Sequence, residues 1–533
     1  MPKNRKALYR IAGILVVIIP LLVVDQIWIR VWRIVPVAYD TTRLTKPLEK
    51  DGQVDYLAAL NRQSSIGVTQ ANNALPLLIK AVGPKCFPPD IPANRIIMSR
   101  LRMRPFGPHT PSLITFSNWI SQQPGGKTTS DSQIWALETR LQTHPWRGYA
   151  NPYAKGWIKA NGRALALIFR AVKRPRYYIP LVSQDGGLSD YAGPDEMTMD
   201  SLRNLTAANA MLQLGRGNIQ AALRQARAVF SLGELLVQSP GMIRYLTALS
   251  IENSAMVLDQ AIGNSSQISI PQLRGLARYL RHLPPVPPLS GPLNNARYEV
   301  LNELEQANRL GPATFIDGQH PTALRTLQAM FLPINYASLM HHTNQLFDAE
   351  IASARVHPFP AQIARLASAD ARFSAYSGNE KESLTGTISD PRVRFTGGSP
   401  GSRWSNNLFR PLAVVISTQG PRAADMAILR ETAISMRQIT EVSVALALYR
   451  KQHGQFPVGL SALVPAYIHA IPEDLFTGQP LIYRTSAHHR GFLLYSLRPD
   501  MMHGHIHFHN THAYQIKVLG GSWPVSGIGT HKR

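Results

Sequence analysis

The chain has 533 residues, of which 44% are hydrophobic and only 17% are charged, and its formal net charge is +24. This length is enough for about three or four domains, and the hydrophobic fraction excludes a chain that is disordered throughout. The single cysteine, Cys86, excludes an intrachain disulfide.

The excess of positive charge has three interpretations. A nucleic-acid-binding protein clusters its basic residues, whereas here they are scattered and the densest patch is residues 3–6. A membrane-surface protein carries a basic amphipathic helix, and only the segment after residue 29 hints at one. An envelope protein facing an acidic medium gains little from carboxylates, which lose their ion pairs when protonated. We favour the third interpretation, then a membrane-surface role, with nucleic acid last.

The N-terminus has the pattern of a membrane anchor. A basic flank precedes the apolar run 11–24, which is typical of a signal peptide or a signal anchor. No small-x-small cleavage site follows, and residues 7–29 reach the ~20 residues that span a hydrocarbon core. We predict an uncleaved transmembrane helix over 7–29 behind a cytoplasmic basic tail, 1–6. A cleaved signal peptide is the alternative.

Residues 41–373 are predicted to form a helical extracytoplasmic domain. Apolar residues at helical spacing indicate one helix over Trp157 to Val172 and a strongly helical block over 200–283. Two glycines, at 215 and 217, break that block, and the next helix covers 219–236. The hairpin around this break resembles one tetratricopeptide unit, but an array needs at least three units. An ordinary helical hairpin is therefore the favoured interpretation.

Two linkers are predicted in the rest of the chain, of which the first is a proline-rich connector. Residues 284–288 contain four prolines and predict a stiff connector. Residues 374–422 are rich in Gly, Ser, Asn and Thr, and we interpret them as a linker or mobile loop. A long helix over 423–452 follows. Gly454 can adopt the positive φ that ends a helix, and Pro457 prevents its continuation.

The segments after this helix resemble the globular domain of type II secretion major pseudopilins. They are Tyr-Arg-Lys-Gln-His-Gly-Gln-Phe-Pro (449–457), Leu-x-x-Leu (460–463), Asp-Leu-Phe-Thr-Gly-Gln-Pro-Leu-Ile-Tyr (474–483) and Tyr-Ser (495–496). The resemblance implies a small α+β module over 423–521, followed by a tail, 522–533. Phe492, Leu494 and the Ile482-Tyr483 pair suit an antiparallel sheet packed on the helix.

Two departures from that family limit what the resemblance implies. The module begins at residue 423, far from the predicted anchor, so it cannot polymerise as a pilin does. The acidic residues that bind calcium in the family are missing after Asp500, and calcium needs several oxygen ligands. The preceding region, through its segments 55–61, 72–76, 157–161 and 174–178, is similar to large membrane-anchored envelope proteins that end in such a module. This likeness implies an architecture and no activity.

An alternating histidine run is the candidate metal site. On a strand, residues two apart share a face, and neutral imidazoles so placed bind zinc, copper or nickel. The alternative is a solvated tail that becomes charged below about pH 6.5. The run consists of His503, His505, His507 and His509, with His512 after a short gap.

Other candidate residues have ordinary explanations. His341 and His342 lie on a predicted helix, but without a His-Glu-x-x-His motif they do not indicate a metalloprotease. Glu299 and Glu303 lie one helical turn apart, and we interpret them as a solvated face with Arg297 rather than as a di-metal site. No phosphate-binding loop, dinucleotide fingerprint or nucleophile elbow occurs in the sequence.

The sequence therefore predicts a mainly α fold built of helical hairpins, with an N-terminal transmembrane helix and a small C-terminal α+β module. The expected location is the inner membrane, single-pass, with the bulk of the chain periplasmic. We expect a non-catalytic interaction or scaffold protein whose partners are the membrane and other envelope proteins. The alternatives are an extracytoplasmic enzyme without a linear motif and a transition-metal binder using the histidine run.

Overall fold

The computed structural model describes residues 35–124, 128–183, 187–188, 196–310, 335–377, 423–498 and 514–521. The predicted basic tail, transmembrane anchor and C-terminal tail lie outside these residues, and so does the histidine run. Within the described ranges, no helix combines the length and the apolar character needed to cross a membrane.

The described chain is mainly helical, with a small sheet near its C-terminus, which confirms the predicted class at that level. The helices are α1 Tyr56–Ser64, α2 Leu75–Val82, α3 Pro92–Arg100, α4 Phe116–Ser121, α5 Asp131–Thr143, α6 Pro152–Ala160, α7 Gly162–Ala171, α8 Glu196–Gly215, α9 Ile219–Leu236, α10 Met242–Gly263, α11 Ile270–Arg281, α12 Ser290–Leu310, α13 Tyr336–Ser353, α14 Phe359–Ser377 and α15 Ala423–His453. The strands are β1 Ile482–Thr485, β2 Gly491–Arg498 and β3 Tyr514–Gly521.

The predicted break between α8 and α9 is confirmed. Gly217 has a φ of 80°, which a residue with a Cβ rarely adopts. The next residue, Asn218, caps α9 by accepting a hydrogen bond from the Ala221 N–H through its side-chain oxygen. The two helices pack on each other, and α9 also packs on α10. These three helices form the centre of the helical body, by which we mean residues 35–310 and 335–377.

The predicted single helix from Trp157 to Val172 is wrong, because Asn161 divides it into α6 and α7. The Asn161 side chain is buried; its oxygen accepts from the Ile114 N–H at 2.9 Å and its nitrogen donates to the Ile114 carbonyl at 3.0 Å. Asn161 itself has φ −95° and ψ 16°. An asparagine that binds a distant backbone in this way competes with the helical hydrogen-bond pattern.

The predicted small sheet is confirmed as three antiparallel strands in the order β1-β2-β3. Phe492 and Leu494 of β2 are fully buried in a hydrophobic cluster that they share with α15. Gly454 ends α15 with a φ of 80°, as predicted. Asp474 connects the loop before β1 to β2, because its carboxylate accepts a hydrogen bond from the Leu497 N–H at 2.8 Å.

Helix α15 contributes to both hydrophobic clusters of the structure. Its residues Val444, Ala447 and Leu448 belong to the main cluster of the helical body, while Ile439 and Val442 belong to the second cluster with Phe492. The helix lies against α10, α11 and α14. The predicted C-terminal module therefore shares its core with the body. Helix α14 runs to Ser377, so the first four residues of the predicted linker are helical; residues 378–422 lie outside the described chain.

Candidate binding cleft

A cleft of about 530 Å³ opens between four segments that are far apart in the sequence. Its walls are the C-terminal end of α1 with the following turn, the segment 176–177, the loop from α9 into α10, and the proline-rich connector with the start of α12. The volume lies within the range of about 300–1,000 Å³ that ligand clefts occupy. The lining residues used below are Gln63, Ile66, Arg176, Tyr245, Pro287 and Asn295.

The cleft surface is only slightly more apolar than polar, and it carries a few free polar groups. Arg176 is exposed and supplies the only charge among the described lining residues. The amides of Gln63 and Asn295 have no hydrogen-bond partner within the described ranges, and each can donate and accept. Ile66 is 72% exposed at this edge. The cleft therefore offers apolar contact, two-way hydrogen bonding and one cation.

The connector wall is held in place from both sides. The Pro287 carbonyl accepts from the Tyr245 hydroxyl at 2.8 Å and from Arg430 Nε at 3.1 Å. Burial raises the pKa of Tyr245, so its hydroxyl keeps the proton that makes this bond. Because Arg430 belongs to α15, the C-terminal helix supports one wall of the cleft.

Further polar contacts join α15 to α10, to the residues just after α10 and to the connector, and we call this set of contacts the polar seam. Arg437 Nη2 lies 2.5 Å from Glu252 Oε2, and its Nη1 donates to the Pro284 carbonyl. Farther along, Gln260 donates to Thr440 Oγ1 at 2.8 Å. In the same direction, Asn264 donates to Ser443 Oγ at 3.2 Å and Lys451 to the Ser266 carbonyl at 2.8 Å. Residue numbers increase in the same direction on both sides of the seam, so α10 and α15 run parallel.

The seam brings the helices close together because α10 has a glycine at the contact. A Cβ built on Gly263 would lie 3.1 Å from Val444 Cγ2. Earlier in α10, the side chain of Glu252 is 1% exposed. Its partner Arg437 also stacks on Phe230, with Arg437 Cζ 5.2 Å from the ring centroid. Burial raises the pKa of Glu252, and the Arg437 guanidinium opposes that rise.

Several other carboxyl groups are buried in the helical body. Asp259 is 1% exposed, and neither of its oxygens has a hydrogen-bond partner in the described structure. Burial raises its pKa to about 7, against the attraction of Arg227. Burial also raises the pKa of Glu299 to about 7, opposed by Arg244, and that of Glu305 to about 8. These groups lie within helix packing and do not line the cleft.

The interpretation of Glu299 and Glu303 as a solvated face with Arg297 is wrong. The Arg297 side chain is fully buried, and Glu303 is 6% exposed. Arg297 Nη2 lies 2.8 Å from Asp348 Oδ1, which is also 3.1 Å from Arg43 Nη2. Helix α12 is buried along this side because α13 and the N-terminal segment both pack there.

The N-terminal segment is fastened to the body at several points. Asn344 of α13 donates to the carbonyls of Asp40 and Thr41, at 3.1 and 2.6 Å. The Tyr56 hydroxyl donates to the Thr42 carbonyl at 2.7 Å. Together with the Arg43–Asp348 ion pair, these contacts fix residues 40–43 on the body. Residue 40 immediately precedes the predicted extracytoplasmic domain, and residues 41–43 are its first residues.

The predicted metal residues His503, His505, His507 and His509 lie outside the described chain, so zinc, copper or nickel binding there stays a prediction. Where the structure is described, no group of three or more His, Cys, Asp and Glu residues is arranged to hold a metal ion. His341 Nδ1 lies 3.8 Å from Asp40, and His342 Nδ1 lies 2.7 Å from the Ser338 carbonyl. Cys86 packs beside the main core.

The sequence predicts the connector but not the cleft. The cleft walls come from segments up to about 230 residues apart, and no linear pattern joins them. Comparisons with known proteins give no further assignment: no family model, no curated protein and no solved structure matches the chain.

Proposed function

We propose that the protein is a non-catalytic interaction protein of the cell envelope and that the cleft binds an extended segment of another envelope protein. The observation that carries the proposal is the chemistry of the lining. Among its described residues, the cleft has no carboxylate, imidazole, thiol or amine that could act as a general acid, base or activated nucleophile. Its serine hydroxyls therefore lack a base beside them, and binding fits this lining better than catalysis.

The free polar groups favour a peptide as the occupant. A peptide backbone alternates donors and acceptors, and the side-chain amides of Gln63 and Asn295 can supply both. The proline-rich wall and the exposed side chain of Ile66 give apolar contact to the side chains of such a segment. Arg176, without an acidic residue beside it in the lining, favours a neutral or acidic segment.

The predicted anchor and the C-terminal module have defined places in this proposal. Residues 7–29 would hold the protein in the inner membrane, and the contacts of residues 40–43 would attach the body directly to that anchor. The pseudopilin-like module would act as a support, because Arg430 and Arg437 bind the carbonyls of the connector that forms one wall. The module would then have a structural role and no role in polymerisation.

Site-specific photocrosslinking in cells tests whether the cleft has a protein partner. A photoreactive phenylalanine analogue placed at Ile66 is expected to crosslink one envelope protein, which mass spectrometry identifies together with the crosslinked segment. Val458 is the matched control, since it is an aliphatic residue that is 80% exposed and does not line the cleft. Equal crosslinking from both positions, or crosslinking to lipid alone, would contradict the proposal.

The Ile66→Asp variant is expected to weaken binding of the identified segment, made as a synthetic peptide, by about tenfold or more. The added carboxylate removes apolar contact and repels an acidic segment. Fluorescence anisotropy with the full chain in detergent measures the dissociation constant, and Val458→Asp is expected to bind as the wild type does. Unchanged affinity of Ile66→Asp would show that the segment binds elsewhere.

A further inference from the structure

A second cavity, of about 290 Å³, lies where α5, α8 and α10 meet, and it shares no lining residue with the cleft. Helix α5 contributes one continuous face, because its lining residues follow the i, i+3, i+4, i+7, i+8 pattern. These residues are Trp135, Glu138, Thr139, Gln142 and Thr143. The volume is at the small end of ligand cavities, so the cavity suits a ligand of a single ring.

The cavity wall is a network of polar side chains that still has free hydrogen-bonding capacity. Asn204 donates to Glu138 Oε1 at 3.0 Å, and Arg203 Nη1 donates to Ser254 Oγ at 3.2 Å and to Gln142 Oε1 at 3.4 Å. Glu138 Oε2 and Gln142 Nε2 have no hydrogen-bond partner among the described residues. A carboxylate oxygen accepts and an amide nitrogen donates, so this wall can exchange hydrogen bonds with a ligand in both directions.

A large aromatic residue stands at the edge of this cavity. Trp135 is 70% exposed, although tryptophan is usually well buried. Its ring lies on the same face of α5 as the polar residues, so it offers a flat apolar surface beside a polar wall. Aromatic faces carry partial negative charge and attract polarised hydrogens, such as the C–H groups on one side of a sugar ring.

The charges of the cavity exclude strongly anionic ligands. Arg203 is already paired with Asp200 at 3.1 Å, and Glu138 adds a further carboxylate. A phosphate would be repelled by the Glu138 carboxylate, and the nearby Arg203 is already paired with Asp200. An uncharged ligand with several hydroxyl groups matches the amides and hydroxyls of Gln142, Asn204 and Ser254.

We propose that this cavity binds an uncharged pyranose, which stacks on Trp135, donates hydrogen bonds to Glu138 and accepts them from Gln142. The inference does not rest on the proposed function of the cleft. A free amino acid also carries both hydrogen-bond donors and acceptors, and the experiment below distinguishes it from a sugar.

Saturation-transfer NMR on the full chain tests the proposal. The detergent must be non-glycosidic, since a maltoside would itself supply pyranose rings. Glucose and N-acetylglucosamine are offered as probes, with glycine and inorganic phosphate as competitors. We expect transfer to the ring protons of at least one sugar and no competition by glycine or phosphate. No transfer to either sugar, or displacement by glycine, would overturn the proposal.

The Trp135→Ala variant is expected to reduce this sugar signal by about fivefold or more, because it removes the stacking surface. Since Trp135 is exposed, the variant should unfold at the wild-type temperature, which thermal unfolding checks. Tyr149→Ala removes an aromatic ring that is 78% exposed and does not line the cavity, and it should keep the signal. Equal signals from the wild type and Trp135→Ala would reject the site.

Discussion

Replacing Arg437 by methionine is expected to lower the free energy of unfolding by roughly 3–5 kcal/mol at pH 9. The substitution keeps much of the apolar volume but leaves Glu252 buried at 1% exposure without its partner at 2.5 Å. It also frees the Pro284 carbonyl and removes the cation from the Phe230 ring. At pH 6 the loss should be smaller, because burial favours the protonated form of Glu252. Urea unfolding at both pH values measures the two losses.

A double variant separates the buried charge from lost packing. Arg437→Met combined with Glu252→Gln removes both charges, and it should recover most of the stability lost at pH 9. Arg355→Met, at an exposed arginine, should change stability by no more than about 0.5 kcal/mol. If Arg437→Met unfolded at the wild-type urea concentration, the polar seam would not contribute to holding α15 on the body.

The second large effect is a gain of stability in mild acid. Burial raises the pKa of Asp259 to about 7 in the folded protein, well above the usual value near 4. Between those two values the folded state keeps a proton that the unfolded state has lost, so stability falls as pH rises. The slope for one such group is about 1.4 kcal/mol per pH unit, or roughly 4 kcal/mol in total. Glu299 and Glu305 act in the same direction.

Asp259→Asn tests this dependence directly, because an amide cannot ionise in this range. The unfolding temperature of the wild type should rise as pH falls from 8 to 5, and the rise should be clearly smaller in the variant. Asp90→Asn, at an exposed carboxyl, should leave the wild-type profile unchanged. A wild-type profile that is flat, or that rises toward pH 8, would contradict the buried carboxyl as its cause.

This pH dependence bears on the meaning of the basic composition. The sequence has 32 acidic residues against 56 Lys and Arg, and we interpreted the shortage as suited to an acidic medium. Independently of that interpretation, the raised pKa values of Asp259, Glu299 and Glu305 predict stability in acid, since groups that bind protons on folding favour the folded state there. Composition alone could not reveal this, because it does not show which carboxyls are buried.

Elements whose boundaries depend on local chemistry were predictable. Gly217 marked the break before α9, and Gly454 marked the end of α15, because positive φ favours glycine and leaves a signature in the sequence. The division of α6 from α7 was not predictable in this way. It depends on Asn161 binding Ile114, and a hydrogen bond across 47 residues leaves no periodic pattern.

The role of α15 was predictable only in part. The apolar spacing over 423–452 indicated six core positions. Ile428, Ile439, Val442 and Leu446 are fully buried, whereas Ile434 and Tyr449 are only partly buried. The same pattern gave no role to Arg437, since a charged residue in a helix usually lies on a solvated face. Its partner Glu252 is 185 residues away. Contacts between distant polar residues likewise determine the cleft and the cavity, so neither had a sequence signal.

The parallel pairing of α10 with α15 also sets an order of events during synthesis. Asn264 meets Ser443, which is 179 residues later in the chain. Synthesis runs at about 5–20 residues per second. Gln260 of α10 and Asn264, which caps its C-terminal end, are therefore uncovered for on the order of 10–40 s before α15 is made. Chains that stop before residue 423 never cover them. Such truncated products are therefore expected to be the ones that chaperones retain and proteases remove.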